Sequence, residues 1–225
     1  LLTLRGAQVR DALRWSKVID AMLLKWGGSA EVAMGSHHWP TWGAGEVRTL
    51  LTNQRDAYRY VHDRTLFLAN RGATLHELAD QTPEAAVQGG DFSTRGYYGT
   101  LNHDMKATYQ RYFGWWDGNP AHLKPATEDQ IAASLAALVG SAQALAQQAA
   151  AHAAAGELRL AGHLAEWAAL ADPADPVVHK VRAEVNDRRA QAEPSQMAKG
   201  IFRAAARDAR SRAEALARKA GGGTG

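Results

Sequence analysis

The stretch "SAQALAQQAAAHAAAGELRLAGHLAEWAALADPADPVVHKVRAEVNDRRAQAE", residues 141–193, decides the fold class. It is rich in alanine, and its clear breaks fall at Gly156 and at Asp172-Pro173. Glycine weakens a helix interior, and proline lacks the backbone N–H that a helix needs. The pattern therefore predicts three consecutive helices separated by short turns, and a mainly α protein.

The order of these three helices resembles the helix pairs of tetratricopeptide repeats. One and a half units do not make a repeat array, so the prediction is limited to antiparallel helix pairs. Another helix precedes them in "ATEDQIAASLAALVG", residues 126–140. Its apolar stripe consists of Ile131, Leu135, Leu138 and Val139.

The last predicted helix lies in "PSQMAKGIFRAAARDARSRAEALARK", residues 194–219, with Ser195 as its N-cap and a glycine-rich tail behind it. Its acidic residues are Asp208 and Glu214. Its basic residues are Lys199, Arg203, Arg207, Arg210, Arg212, Arg218 and Lys219. A basic helix face can contact nucleic acid or an anionic membrane, and it can equally be an ordinary solvated surface.

The composition changes near residue 126, because the preceding part holds all but one of the tryptophans and most of the glycines and histidines. "RGAQVRDALRWSKVIDAMLLKW", residues 5–26, predicts a helix that ends at Gly27-Gly28. "EVAMGS", residues 31–36, predicts a short buried strand, and "HHWPTWG", residues 37–43, a loop at the carboxyl end of that strand. This order is typical of an α/β fragment whose other strands lie upstream.

Three more elements are predicted before residue 126. A long helix over residues 46–72 closes at Gly72. Thr74 and Glu77 have the spacing of a capping box at the start of the next helix. A further helix is predicted over roughly residues 103–114.

The composition of the 225 residues excludes several classes of protein. Apolar residues make up 46% of the chain, which is enough for a globular core. Cysteine is absent, so disulfides and Cys-ligated zinc are excluded. No apolar run approaches the length of a membrane span. A net charge of +3 is too small to indicate nucleic acid. The chain begins without methionine, and we expect it to be part of a longer protein.

Two adjacent histidines, His37 and His38, follow the short predicted strand. An imidazole at the end of a strand is a common metal-ligand position, because the strand fixes the side chain and the loop leaves it open. Both could instead be ordinary loop histidines stacked on Trp39 or Trp42. No His-x-His or His-x-x-x-His pattern elsewhere in the chain completes a site.

Cations and phenol hydroxyls are concentrated in "RGYYGTLNHDMKATYQRYFGWWDGNP", residues 95–120. They are Arg95, Tyr97, Tyr98, His103, Lys106, Tyr109, Arg111 and Tyr112. Such groups suit a pocket for a sulfate or phosphate group, and the glycines let the backbone approach a ligand closely. The alternative is a helix that packs through its aromatic side chains while its Arg and Lys reach solvent.

Five segments together resemble one family. They are "TLRGAQVRDALRWSKVIDAM" (3–22), "SHHWPTWG" (36–43), "RDAYRYVHDRTLFLANRGATLHELA" (55–79), "RGYYGTLNHDMKATYQRYFGWWDGNPAHLKP" (95–125) and "GHLAEWAALADP" (162–173). In this order they are similar to alkyl sulfatases of the metallo-β-lactamase superfamily, which hydrolyse detergent-like alkyl sulfate esters. The resemblance extends over nearly the whole chain.

The resemblance implies three regions and a metal. Residues 1–45 would be the C-terminal end of the metallo-β-lactamase-like hydrolase domain, and residues 46–193 the all-α dimerisation domain of a homodimer. Residues 194–225 would be an Arg-rich helix and a flexible Gly tail. Two zinc ions per full-length subunit are implied, with His37 as one ligand and the remaining ligands upstream of residue 1.

The resemblance also implies a site for the sulfate group of the substrate. Arg5 and Tyr98 would contact the sulfate, and His103 would protonate the leaving group. Further candidates for sulfate binding are Arg95, Lys106 and Arg111. Because most zinc ligands would be missing, we expect the isolated chain to be inactive. Two alternatives to an alkyl sulfatase fragment stay open. One is a non-catalytic helical dimerisation or scaffold module, and the other is a different metallo-β-lactamase-type hydrolase that acts on another substrate.

Overall fold

The computed structural model describes residues 1–4, 6–83 and 91–221. Within these ranges the regular secondary structure is α-helical apart from one β-hairpin and one short 3-10 helix, which confirms the mainly α prediction. Two compact units are formed by residues 1–122 and 123–225. The domain boundaries after residues 45 and 193 stay predictions.

The first helix, α1, spans Ala12–Trp26 and begins later than the sequence predicts. Asp11 has an extended backbone, and its side chain accepts a hydrogen bond from the backbone N–H of Arg14 at 2.9 Å. This N-cap satisfies a donor that would otherwise be unpaired, so residues 6–10 stay outside the helix. The end at Gly27 agrees with the prediction.

Apolar residues recur along α1 at steps of three and four positions, a pattern that predicts one apolar face, but only part of that face is buried. Ala12 and Ile19 are buried, whereas Trp15, Met22 and Trp26 are exposed. Trp15 instead stacks on Tyr58, with the two ring centroids 5.7 Å apart.

An antiparallel hairpin follows α1, with β1 at Val32–Gly35 and β2 at His38–Trp42. The prediction of a loop over residues 37–43 is therefore wrong. Pro40 argues against a strand, but each strand of a two-stranded sheet has a free edge where proline is tolerated. The predicted burial of β1 is also wrong: three of its four residues are exposed, and Met34 is 80% exposed.

The long helix α2 spans Ala44–Ala69, and the chain then turns at Gly72 with φ 92°. The short helix α3, Glu77–Asp80, starts at the predicted capping box. The Glu77 carboxylate accepts hydrogen bonds from the Thr74 N–H at 2.9 Å and the Thr74 hydroxyl at 2.8 Å. The remaining elements are a 3-10 helix (Phe92–Thr94), α4 (Leu101–Phe113) and α5 (Pro120–Leu123).

The core of the first unit joins α2, α3 and α4. It consists of Val61, Leu68, Leu78, Ala79, Leu101, Met105 and Tyr109. Burying these side chains fixes α4 against α2, and thereby fixes the segment that connects the 3-10 helix to α4.

The second unit contains five helices among its described residues: α6 (Glu128–Val139), α7 (Ala142–Ala154), α8 (Leu158–Ala171), α9 (Pro176–Ala192) and α10 (Gln196–Gly221). The predicted breaks at Gly156 and Asp172-Pro173 are confirmed. Ser195 caps α10 by accepting a hydrogen bond from the N–H of Ala198 at 3.3 Å.

Small side chains dominate the core of the second unit. Ala149, Ala161 and Ala165 have no exposed surface, and Val185 has 1%. Alanine at the contact lets neighbouring helices approach closely. A tetratricopeptide-like arrangement of these helices stays a prediction.

Among the described residues, no helix combines the length and apolar character needed to cross a membrane.

Candidate functional site

The segment that leads into α4 is anchored on α2 by side-chain hydrogen bonds. Asp91 caps the 3-10 helix, because its carboxylate accepts a hydrogen bond from the Ser93 N–H at 2.7 Å. The amide of Asn53 donates to the same carboxylate, and the amide of Gln54 donates to the carbonyl of Ser93. Hydrogen bonds from the Ser93 N–H and from the Asn53 amide hold the pKa of Asp91 below its usual value.

Phe92, at the start of the 3-10 helix, is the centre of an aromatic cluster. The guanidinium carbon of Arg95 lies 3.8 Å from its ring centroid. The ring of Trp39 stacks on it at 6.4 Å between centroids, and the ring of His38 meets it edge-on at 5.8 Å. The hairpin and the segment carrying Arg95 are therefore neighbours in the first unit.

A cleft of about 340 Å³ lies beside this segment. Its walls come from the first residues of the chain, from α2 and from the residues between the 3-10 helix and α4. The polar side chains that line it are Thr3, Arg10, Gln54, Tyr58, Ser93, Thr94, Arg95, Tyr97, Tyr98, Thr100 and Asp104.

The polar groups of the cleft suit an anion with several hydrogen-bond acceptors. Two guanidinium groups, Arg10 and Arg95, provide charge and forked donors. The carboxylate of Asp104 lies in the same cleft, where it pairs with the terminal ammonium of Leu1 at 2.6 Å. Burial, helped by the negative charge of Asp104, raises the pKa of Tyr58, so its phenol stays a hydrogen-bond donor.

The structure brings some of the sequence-predicted sulfate residues together and separates others. Arg95 and Tyr98 both line the cleft. His103 and Lys106 belong to α4 and are not among the residues that line it. Arg111, near the end of α4, points away to an ion pair with Asp11 at 3.1 Å. Arg5 lies outside the residues that the structure describes.

Arg10 is a cleft residue that the sequence prediction missed. The sequence predicts a helix over residues 5–26, which would place Arg10 on a helical face with no link to residues 95–100. The N-cap at Asp11 instead leaves Arg10 in the irregular segment before α1. The sequence does contain a signal for this helix start: Asp is a preferred N-cap residue, and Asp11 accepts a hydrogen bond from the N–H of Arg14, three residues later.

His37 occupies the turn between β1 and β2, where it is exposed to solvent. An exposed neutral imidazole is a suitable zinc ligand, so the residue fits the role of a single donor. Across residues 1–4, 6–83 and 91–221, no group of three or more His, Asp or Glu side chains could hold a metal ion. The described residues therefore do not form a complete metal site around His37.

Known proteins similar to this chain are alkylsulfatases. The family described as alkyl sulfatase dimerisation matches residues 74–212. A linear primary-alkylsulfatase of Pseudomonas sp. is 40% identical over 81% of this chain, and an alkyl/aryl-sulfatase of Saccharomyces cerevisiae is 41% identical over 77%. An (R)-specific secondary-alkylsulfatase of Pseudomonas sp. is 39% identical over 84%.

The chain spans 27–28% of the length of these three relatives. A solved structure of a stereoselective inverting sec-alkylsulfatase from Pseudomonas sp. matches with a TM-score of 0.87 and 35% identity. That match covers 93% of this chain and 33% of the solved chain. The family match over residues 74–212 includes more than half of the sequence, and the chain therefore belongs to the alkyl sulfatase dimerisation family.

Proposed function

We propose that this chain is the C-terminal part of a longer, zinc-dependent alkyl sulfatase. The whole protein would hydrolyse alkyl sulfate esters, such as dodecyl sulfate, to an alcohol and sulfate. The observation that carries the proposal is the 39–41% identity to proteins that are themselves named alkylsulfatases. The cleft supports it independently, because its guanidinium and phenol groups match the chemistry of a sulfate ester.

In this proposal the cleft binds the sulfate group. Arg95 would bind two sulfate oxygens with its forked donors, and stacking on Phe92 restricts the orientations of its guanidinium. The Tyr98 hydroxyl would donate to a third oxygen. Arg10 would offset the repulsion between the sulfate and Asp104. Donors held in place before the substrate binds stabilise the charge that develops as the ester breaks.

Zinc enters the proposal through His37. Bound zinc would supply Lewis-acid activation of water for attack on the ester. The residues of this chain would hold one zinc ligand in place: the hairpin fixes the backbone of the turn, and the contact of His38 and Trp39 with Phe92 orients the hairpin toward the cleft segment. We assign protonation of the leaving group to His103, the third residue of α4, which follows the segment that lines the cleft.

The second contribution of the chain is assembly. The matching family is a dimerisation family. We propose that the whole protein is a homodimer and that the contact between its subunits includes helices of the matched residues 74–212. The alternative of a scaffold module without activity predicts the same dimer but no zinc and no sulfate release.

The test uses the longer protein that contains this chain together with its upstream sequence. Zinc would be counted after purification, and sulfate release from dodecyl sulfate would be followed for the unmodified protein and for His37→Ala. His76→Ala is the matched control, since His76 is also exposed and makes no capping hydrogen bond with its side chain.

The expected result is loss of zinc and of sulfate release in His37→Ala only. Zinc binding without sulfate release by the unmodified protein would show that the substrate is wrong. Absence of zinc would leave only the dimerisation function. Turnover by the isolated 225-residue chain would contradict the proposal that most zinc ligands lie upstream.

A further inference from the structure

The helix α10 carries more positive charge than the whole chain. It holds seven Lys and Arg residues against Asp208 and Glu214, a net charge of +5, whereas the complete sequence has +3. All other residues together therefore carry −2. A concentration of charge of this size on one helix creates a local field that attracts anions.

The positive charges on α10 lie beside its buried face. Ala198, Ala206 and Ala209 are buried. Five basic residues follow one another at steps of mostly three or four positions: Lys199, Arg203, Arg207, Arg210 and Arg218. At 3.6 residues per turn they fall within about 100° of the helix circumference and extend over roughly 28 Å. We call these five residues the basic stripe.

Most of the basic stripe is available to a partner. Arg203, Arg207 and Arg218 are exposed, and among the described residues none of them has a carboxylate partner. Arg210 is the exception, because its guanidinium binds both carboxylate oxygens of Asp187, at 2.7 and 3.2 Å. Glu214 lies within the stripe and lowers its net charge by one.

The side chains of α10 do not favour single-stranded nucleic acid or a second copy of the chain as the partner of the basic stripe. The single aromatic residue of α10, Phe202, is covered by the guanidinium of Arg189 at 4.0 Å, so it offers no face for base stacking. A two-fold contact through the stripe would place the same positive charges opposite each other, which is destabilising.

We propose that the basic stripe docks the protein on the surface of aggregated anionic amphiphile, such as an alkyl sulfate micelle. The choice of this occupant rests on the proposed function, since the substrate is itself an anionic amphiphile. A row of cations about 28 Å long can contact many sulfate headgroups of such a surface at once. Binding there raises the local concentration of substrate molecules around the protein.

The probe is a phosphatidylcholine vesicle doped with cholesterol sulfate, compared with a vesicle of phosphatidylcholine alone. Co-sedimentation of the 225-residue chain would be measured at low and high salt. The variant Arg203→Glu, Arg207→Glu, Arg218→Glu reverses three exposed charges of the stripe. The control Arg14→Glu, Lys17→Glu, Lys124→Glu makes the same change in net charge at exposed positions outside α10.

The unmodified chain and the control are expected to bind the sulfated vesicles, and less so at high salt. The stripe variant should bind at least about 100-fold more weakly, because each basic residue near an anionic surface contributes roughly five-fold. Circular dichroism checks that the variant is folded, and replacing the same three arginines with glutamine provides a second test without charge reversal.

Equal vesicle binding by the stripe variant and the unmodified chain would overturn the inference. So would tighter binding of the stripe to duplex DNA than to sulfated vesicles, or a change of oligomeric state in the stripe variant. Vesicle binding does not require turnover. A protein that binds sulfated vesicles through the stripe but releases no sulfate would therefore refute the proposed function alone.

Discussion

The guanidinium carbon of Arg95 lies 3.8 Å from the ring centroid of Phe92. The same ring stacks with Trp39 of the hairpin at 6.4 Å. One aromatic side chain therefore contacts both the strand next to the proposed zinc ligand and the arginine proposed to hold the sulfate. This contact connects the two chemical roles that the proposed function assigns to the chain.

Replacing Phe92 with alanine should weaken substrate binding in the longer protein. Arg95 would lose the surface that orients it, so we expect KM for dodecyl sulfate to rise several-fold with a smaller change in kcat. Phe67→Ala is the matched control, because Phe67 is equally exposed, at 51%, and also contacts arginine, 5.2 Å from Arg71. In each variant, the free energy of unfolding measured in urea should be about 1–2 kcal/mol lower than in the unmodified protein. A rise in KM for both variants would indicate a general loss of stability instead.

Replacing Tyr98 with phenylalanine removes one hydroxyl from the cleft and keeps the aromatic ring. A hydrogen bond to a charged group contributes about 1.5–3 kcal/mol, so kcat/KM should fall by about ten- to hundred-fold. Tyr60→Phe, at a tyrosine that does not line the cleft, should have no effect. If Tyr98→Phe keeps full activity, the sulfate must be bound elsewhere.

His103→Gln tests the proposed proton donor. If His103 protonates the leaving group, kcat should fall, and any fall of kcat toward alkaline pH that the unmodified protein shows should be absent from the variant. His76→Gln serves as the control at an exposed histidine. An unchanged pH profile, combined with a lower free energy of unfolding, would show that His103 only packs at the start of α4.

The helices of the second unit could be predicted from the sequence because their ends are marked by residues with a local backbone effect. Gly156 takes a φ of 84°, which favours glycine and ends a helix, and Pro173 lacks the backbone N–H that a helix interior needs. The hairpin could not be predicted in this way. Pro40 opposes a strand in a large sheet, and only the pairing of β1 with β2 shows that it is tolerated here.

The cleft could be predicted only in part for a related reason. Arg95 and Tyr98 belong to one segment, so their proximity follows from the sequence. Arg10 joins them from a position 85 residues earlier, and that approach depends on how α1, α2 and α4 pack. Long-range packing of this kind leaves no periodic pattern in the sequence.

Asp91 should make the stability of the chain depend on pH in acid. Hydrogen bonds, first from the Ser93 N–H, lower its pKa in the folded state below the value of 3.8 expected in the unfolded state. The stability it contributes is therefore complete above about pH 4 and is lost as the pH falls through the lower, folded pKa. Asp91→Asn keeps the capping shape but removes the titration.

The measurement for Asp91 is urea unfolding of both proteins at a series of pH values. The difference in free energy of unfolding between the unmodified chain and Asp91→Asn should be constant at neutral pH and shrink in acid. Other carboxylates with lowered pKa values, such as Asp11 and Asp63, are present in both proteins and cancel in the difference. A constant difference down to acid pH would show that the carboxylate charge does not matter.

Two helical glycines of the second unit should respond in opposite ways to alanine. At Gly200 an added Cβ meets nothing within 4 Å, so Gly200→Ala should stabilise the exposed helix α10 by about 0.5–1 kcal/mol. At Gly162, in α8, the Cβ would lie 2.4 Å from Nη1 and 2.8 Å from Cζ of Arg189. The guanidinium would have to leave its position over Phe202, so Gly162→Ala should destabilise by about 1–3 kcal/mol.

Urea unfolding of the two alanine variants provides the comparison, and a third protein identifies the cause. If the clash with Arg189 is responsible, Gly162→Ala should cost far less in an Arg189→Ala background than in the unmodified chain. An equal cost in both backgrounds would place the strain in the contact between α8 and α9 backbones. Stabilisation by Gly162→Ala alone would mean that Arg189 moves aside freely, and its stacking on Phe202 would then contribute little to the fold.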